Sequence, residues 1–99
     1  MATNQKYYYM RLRADFFSRK DIILLESMQN GAVYCLILLK LLTASLENNG
    51  HLMLNEEIVM TPAMLATITR YDVGTVEKAL QIFMQLGLVE QLPDSSYYM

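Results

Sequence analysis

Apolar residues recur at helical spacing across residues 73–86, where Val76, Ala79, Leu80 and Phe83 share one face and Thr75, Lys78 and Gln85 fall on the other. Asp72 is suited to accept from the free amides of a first turn, and Gly87 to take the left-handed conformation that closes a helix, so both ends of this element are marked. A helix before it starts at Thr61, a good N-cap, with Pro62 at the first helical position, where no amide bond is lost; its spacing turns Leu65 and Ile68 inward. Only Arg70 and Tyr71 separate the two, and so short a linker predicts a steep crossing, as in a helix-turn-helix. After Gly87, the residues Leu88 and Val89 begin an extended segment, Pro93-Asp94-Ser95-Ser96 form a turn, and Tyr97-Tyr98-Met99 run back as a hairpin. The pattern predicts a mainly α fold with a small antiparallel β-sheet, a winged helix-turn-helix whose wing is the hairpin.

Upstream, residues 7–13 alternate after an aromatic start, which predicts a strand with Tyr8, Met10 and Leu12 on one face and Tyr9, Arg11 and Arg13 on the other, paired with the wing. Asp15-Phe16-Phe17 brings two aromatics toward the core, and Ser18 with Asp21 has the form of a capping box. A first helix over residues 19–28 buries Ile22, Leu25 and Ile23 and stops at Gln29-Asn30-Gly31. The longest helix covers residues 32–48, closed by Asn49-Gly50, and carries one polar row, Gln29, Lys40, Thr43 and Glu47, in which Leu36 also falls. A helix so apolar is covered on most sides, either by the rest of the domain or in part by a second subunit. His51-Leu52-Met53-Leu54 reads as a short strand in the wing sheet, and Asn55-Glu56-Glu57 as a solvated loop.

Composition narrows the function classes. Ninety-nine residues that are 54% hydrophobic suffice for one core and one domain. With 8 Lys+Arg against 10 Asp+Glu, the net charge of -2 lacks the broad basic footprint of a non-specific nucleic-acid binder. The cations are unevenly placed, however: Lys6, Arg11, Arg13, Arg19 and Lys20 all fall in the first twenty residues, which leaves a secondary basic patch there. The single Cys35 reads as a buried small hydrophobe in a reducing compartment, and no signal-peptide pattern is present. The apolar run over residues 32–42 is interrupted by Lys40 and shorter than the ~20 residues a bilayer span needs, so no membrane partner is expected. No nucleophile with its base, phosphate loop, metal-ligand cluster or buried carboxylate pair is present, and His51 stands alone, so the sequence predicts neither an enzyme nor a cofactor, metal or small-molecule substrate.

Three stretches, YYYMRLRADFF near the start, YCLILLKLLTASLENNGHL in the long helix and TVEKALQIFMQLGLVE near the end, resemble the N-terminal domain of phage replisome organizer proteins. That family is similar in architecture to the N-terminal winged helix of DnaD-type primosome proteins. The resemblance implies the front domain of a longer protein of the bacterial host cytoplasm, which helps initiate replication by binding double-stranded origin DNA or by assembling the proteins that load the helicase. Carried over by position, it implies DNA contacts from Arg70 in the turn, from Tyr71, Thr75 and Lys78 at the second helix of the motif, and from Ser95 and Ser96 at the wing tip. Hydroxyls and amides at a helix start bind phosphate, and a lysine neutralises one, whereas Glu77 and Asp94 place negative charge close by.

Two function classes follow. In one, this winged helix reads DNA and also self-associates; in the other it is an oligomerisation or protein-interaction scaffold, and DNA is bound elsewhere in a longer chain. Tyr8 and Leu36 are the interface residues that the second class singles out.

Overall fold

The structure is a computed structural model that describes residues 7–99, so Lys6 lies outside the described residues. Its helices are α1 (Lys20–Ser27), α2 (Gly31–Ser45), α3 (Pro62–Thr69) and α4 (Val73–Gln85), followed by strands β1 (Glu90–Gln91) and β2 (Tyr97–Tyr98). One turn of 3₁₀ helix, Phe16–Ser18, precedes α1, and another, Leu46–Asn48, extends α2 to the left-handed Asn49 and Gly50. The mainly helical fold with a small antiparallel sheet is the class that the pattern predicts.

Helix α2 is central, with Tyr34, Cys35, Ile37, Leu38 and Leu41 buried and α1, α3 and α4 all packed on it. Toward it α4 turns Val76, Ala79, Leu80 and Phe83, the four residues its spacing selects, and α1 turns Ile22 and Leu25. Together with its 3₁₀ extension α2 forms the run Gly31–Asn48, long and apolar enough by length and composition to cross a membrane, a longer element than residues 32–42 suggest. In this fold its buried row is the core that the shorter helices enclose.

Several inward assignments change. In α3 the buried residues are Leu65, Ala66 and Thr69, and Ile68 is exposed. Thr69 can be fully buried because its hydroxyl donates to the Leu65 carbonyl at 2.7 Å, so no polar atom is left without a partner. Ile23 is half exposed, since an eight-residue helix laid along one neighbour buries only a narrow stripe. In the first 3₁₀ turn successive side chains point about 120° apart, so Phe16 enters the core while Phe17 stays at the surface, edge-on to the Phe16 ring at 4.9 Å. The expected Ser18 capping box does not form: Arg19 is the N-cap of α1, and Asp21 is held by the Arg19 guanidinium and by the amide of Ile22.

The wing hairpin pairs Glu90 with Tyr98 and Gln91 with Tyr97. The far edge of β2 is taken by the segment after α2: His51 bridges Tyr98, and the Leu52 amide donates to the Tyr97 carbonyl at 2.9 Å. Residues 7–13, expected to pair with the wing, form no strand. They carry no regular secondary structure, and Met10, Arg11, Leu12 and Arg13 lie beside the end of α2 and Met99, leaving Tyr8 and Leu12 exposed and Met10 half-buried.

Between α1 and α2 the chain reverses through Asn30, in the left-handed region at φ 64°, and Gly31, which opens α2. A Cβ built on Gly31 would overlap the Glu26 carbonyl oxygen and lie 2.6 Å from that of Leu25, so only glycine lets the two helices meet here. Gly31→Ala should cost about 2–3 kcal/mol in denaturant unfolding, as overpacking against immovable backbone does. Gly87→Ala, at φ +74° with open space around its Cβ, should cost only about 1 kcal/mol. Equal losses at the two sites would show that the α1–α2 contact is not tight.

Candidate nucleic-acid interface

The helix-turn-helix is built by local chemistry at both of its joints. Thr61 caps α3 by accepting from the Met64 amide, with Pro62 behind it. The helix ends on Arg70, a non-glycine residue in the left-handed conformation at φ 65°, whose amide still donates to the Ala66 carbonyl at 2.9 Å. This conformation reverses the chain within two residues and leaves the Arg70 side chain exposed. Asp72 then caps α4: one carboxylate oxygen accepts from the Thr75 amide at 2.9 Å and the other from the Thr75 hydroxyl at 2.7 Å. These bonds hold the Asp72 carboxyl below the usual carboxylate range.

The predicted contact residues meet different fates. Lys78 is exposed on the open face of α4 beside Gln81 and Gln85. Arg70 and Ser95 are also exposed, Ser95 at the wing tip with φ 71°. Thr75 is half-buried with its hydroxyl hydrogen committed to Asp72, and Tyr71 is half-buried beneath the ammonium of Lys40, 5.0 Å from the ring centroid. Ser96 is a correction. It is 2% exposed, and its amide and hydroxyl both donate to Asp94, so it cannot meet a phosphate from the wing surface.

The two acids near the motif differ in their surroundings. Asp94 is bent back into the wing turn, where the bonds from Ser96, aided by the nearby His51, lower its pKa. Glu77 lines a hollow shared with Gln91 and Tyr97, and its charge adds to burial in pushing the Tyr97 phenol up. His51 rests against the Tyr98 ring at 4.9 Å.

Lys40 is the residue whose role the sequence hides. Its ammonium donates to the Thr69 carbonyl at 2.7 Å, across a separation of 29 residues, and so ties the middle of α2 to the last turn of α3. No local signal marks that contact; only the three-dimensional crossing of α2 with α3 creates it. It brings a cation to the turn that holds Arg70 and Tyr71.

The N-terminal cations are arranged differently. Arg11, Arg13 and Arg19 line one groove at the end of α2, where Arg13 pairs with Asp15 and Arg19 with Asp21, and Lys20 is exposed outside it. Tyr8 and Leu36, the candidate interface residues, are about half exposed. Cys35 is buried, and desolvation first, with Glu26 second, pushes its thiol up, which suits a core residue. Among the described residues no group of three or more His, Cys, Asp or Glu is placed to hold a metal ion.

Two helices joined through a left-handed Arg70, a segment after α2 bridged to the last strand at His51, and a terminal hairpin together give the arrangement of a winged helix-turn-helix domain. The chain belongs to the N-terminal phage replisome organiser family, whose model matches residues 9–99, nearly the whole sequence. No curated protein and no solved structure matches it.

Asp72 and Asp94 titrate below the ordinary carboxylate range when folded, so their stabilisation is complete above that range and is lost as pH falls through their depressed native values. Denaturant midpoints should accordingly drop below about pH 4. Asp72→Asn combined with Asp94→Asn should flatten that acid limb, with Asp15 and Asp21, also lowered, supplying the remainder. An acid limb equally steep in the double variant would mean that neither cap distinguishes folded from unfolded chain.

Proposed function

We propose that this domain acts in phage replication initiation as a non-enzymatic winged helix that binds double-stranded origin DNA through α4 and the wing, and that it also self-associates. The observation that carries the reading is the exposed face of α4, where Lys78, Gln81 and Gln85 stand clear of the core at the end of a well-capped helix-turn-helix. Lys78 would neutralise a phosphate, the two glutamines would reach base edges, and Arg70 and Ser95 would meet the backbone on either side. Asp72 and Asp94 stay ionised but are fixed against the backbone of their own turns, so the face of α4 that carries Lys78, Gln81 and Gln85 is the part left for DNA.

A second reading has its own support. The net charge of -2 and the Asp72 carboxylate seated on the Thr75 amide at the start of α4 both disfavour phosphate there, which suits a scaffold domain whose DNA contacts lie in other regions of a longer protein. Contact with helicase-loading proteins would belong to those regions as well. On either reading the site of action is the bacterial host cytoplasm.

Lys78→Glu separates the two. If α4 reads DNA, duplex affinity measured by fluorescence anisotropy at low salt should fall by roughly tenfold or more, and the wild-type affinity should decline steeply with added salt. Gln85→Glu, farther along the same face, should weaken binding less. Unchanged affinity in Lys78→Glu would remove α4 from the interface and leave the scaffold reading.

A further inference from the structure

Beside the end of α2 lies a groove of about 500 Å³ whose floor is apolar, formed by Phe16, Leu42, Leu46 and Met99, with Arg11, Arg13 and Arg19 along it. Two of the arginines are partly neutralised by Asp15 and Asp21, whereas Arg11 has no ion-pair partner among the described residues. A basic rim over an apolar floor fits a segment that offers an aliphatic side chain and carboxylates together. On a chain of net charge -2 such a patch is local, and the same chain carries its complement.

That complement is the tight loop over residues 54–58, Leu54-Asn55-Glu56-Glu57-Ile58. The Leu54 amide donates to the Ile58 carbonyl at 2.8 Å, and the Asn55 side-chain oxygen accepts from the amides of Glu57 and Ile58, each at 2.9 Å. The loop is thus held in one shape, with Glu56 and Glu57 exposed at its tip and Leu54 and Ile58, 56% and 42% exposed, on its flanks. Neither glutamate has an ion pair among the described residues. Groove and loop are neighbours: Asn49 lines the groove on one side and, on the other, a hollow that also includes Asn55 and Glu56.

We infer that the groove receives the 54–58 loop of a second copy of this chain, and that the exchange is reciprocal. Because donor and acceptor flank the same residue, one two-fold rotation can seat both loops at once and close the assembly as a dimer. Each loop brings two carboxylates to the arginines and lays Leu54 or Ile58 on the apolar floor, while its preset shape limits the entropy lost on docking. The inference rests on the self-association reading and names its surface.

Charge reversal on each side provides the test, read by sedimentation equilibrium of the 99-residue chain, with circular dichroism to verify folding. Glu56→Arg with Glu57→Arg, and separately Arg11→Glu with Arg13→Glu, should each weaken the dimer on the order of 100-fold, since like charges then face each other at both contacts. Mixing the two variants should restore dimers, because both contacts of the mixed pair are again complementary, an outcome that unfolded chains could not give. The milder Glu56→Gln with Glu57→Gln should weaken the dimer in the same direction and keeps the question decidable if a reversal unfolds. A wild-type dimer unaffected by any of these changes would overturn the docking while leaving self-association standing. A wild-type chain that stays monomeric at hundreds of micromolar would overturn both.

Discussion

Enclosing α2 is the requirement from which the rest of the structure follows. Its buried row from Tyr34 to Leu41 can leave water only if three shorter helices cover it, and no one of them has the area to do so alone. Each solves a different part: α1 is brought against it by the close approach at Gly31, α4 by Val76 and Phe83, and α3 by Leu65 and the buried Thr69. The Lys40 ammonium on the Thr69 carbonyl then anchors the C-terminal end of α3, where unsatisfied carbonyls attract a cation. The helix-turn-helix is consequently positioned by the core helix itself, and Arg70 and Lys78 inherit their orientation from that packing.

What the sequence reveals is what short-range chemistry decides. Thr61, Pro62, Asp72, Gly87 and the wing turn each act within a few residues, and each is found where its type predicts. The buried faces of α4 and α2 are likewise legible, because long amphipathic or apolar elements leave little choice of orientation. The N-terminal strand is not, since alternation marks a face but not a partner, and the strand next to the wing is supplied instead by residues 51–52. Ile68 and Phe17 mislead for a related reason: hydrophobicity marks them for burial, but one slot is filled by a threonine able to satisfy itself and the other lies on the wrong side of a 3₁₀ turn.

The candidate interface is legible only in part. Residue type and position single out Lys78 and Arg70, and the fold leaves both exposed. Ser96 has the right type and neighbourhood, yet it is buried and its hydroxyl serves Asp94, which keeps its negative charge at the wing. Residue type near a helix-turn-helix therefore says less about contact than whether the fold leaves the side chain exposed and its donors free.

The pairing of His51 and Leu52 with the last strand joins parts of the chain separated by nearly half its length, whereas α1 with α2 and α3 with α4 are helical hairpins of adjacent residues. The hairpins can form early and on their own, but the sheet must wait until both are docked before its loop-closure cost is offset. The tie between residues 51–52 and the wing thus carries a larger loop-closure cost than the contacts inside either helical hairpin. With only two residues in each of its strands, the wing takes its position from the core into which Val89 and Tyr97 are packed rather than from its own ladder.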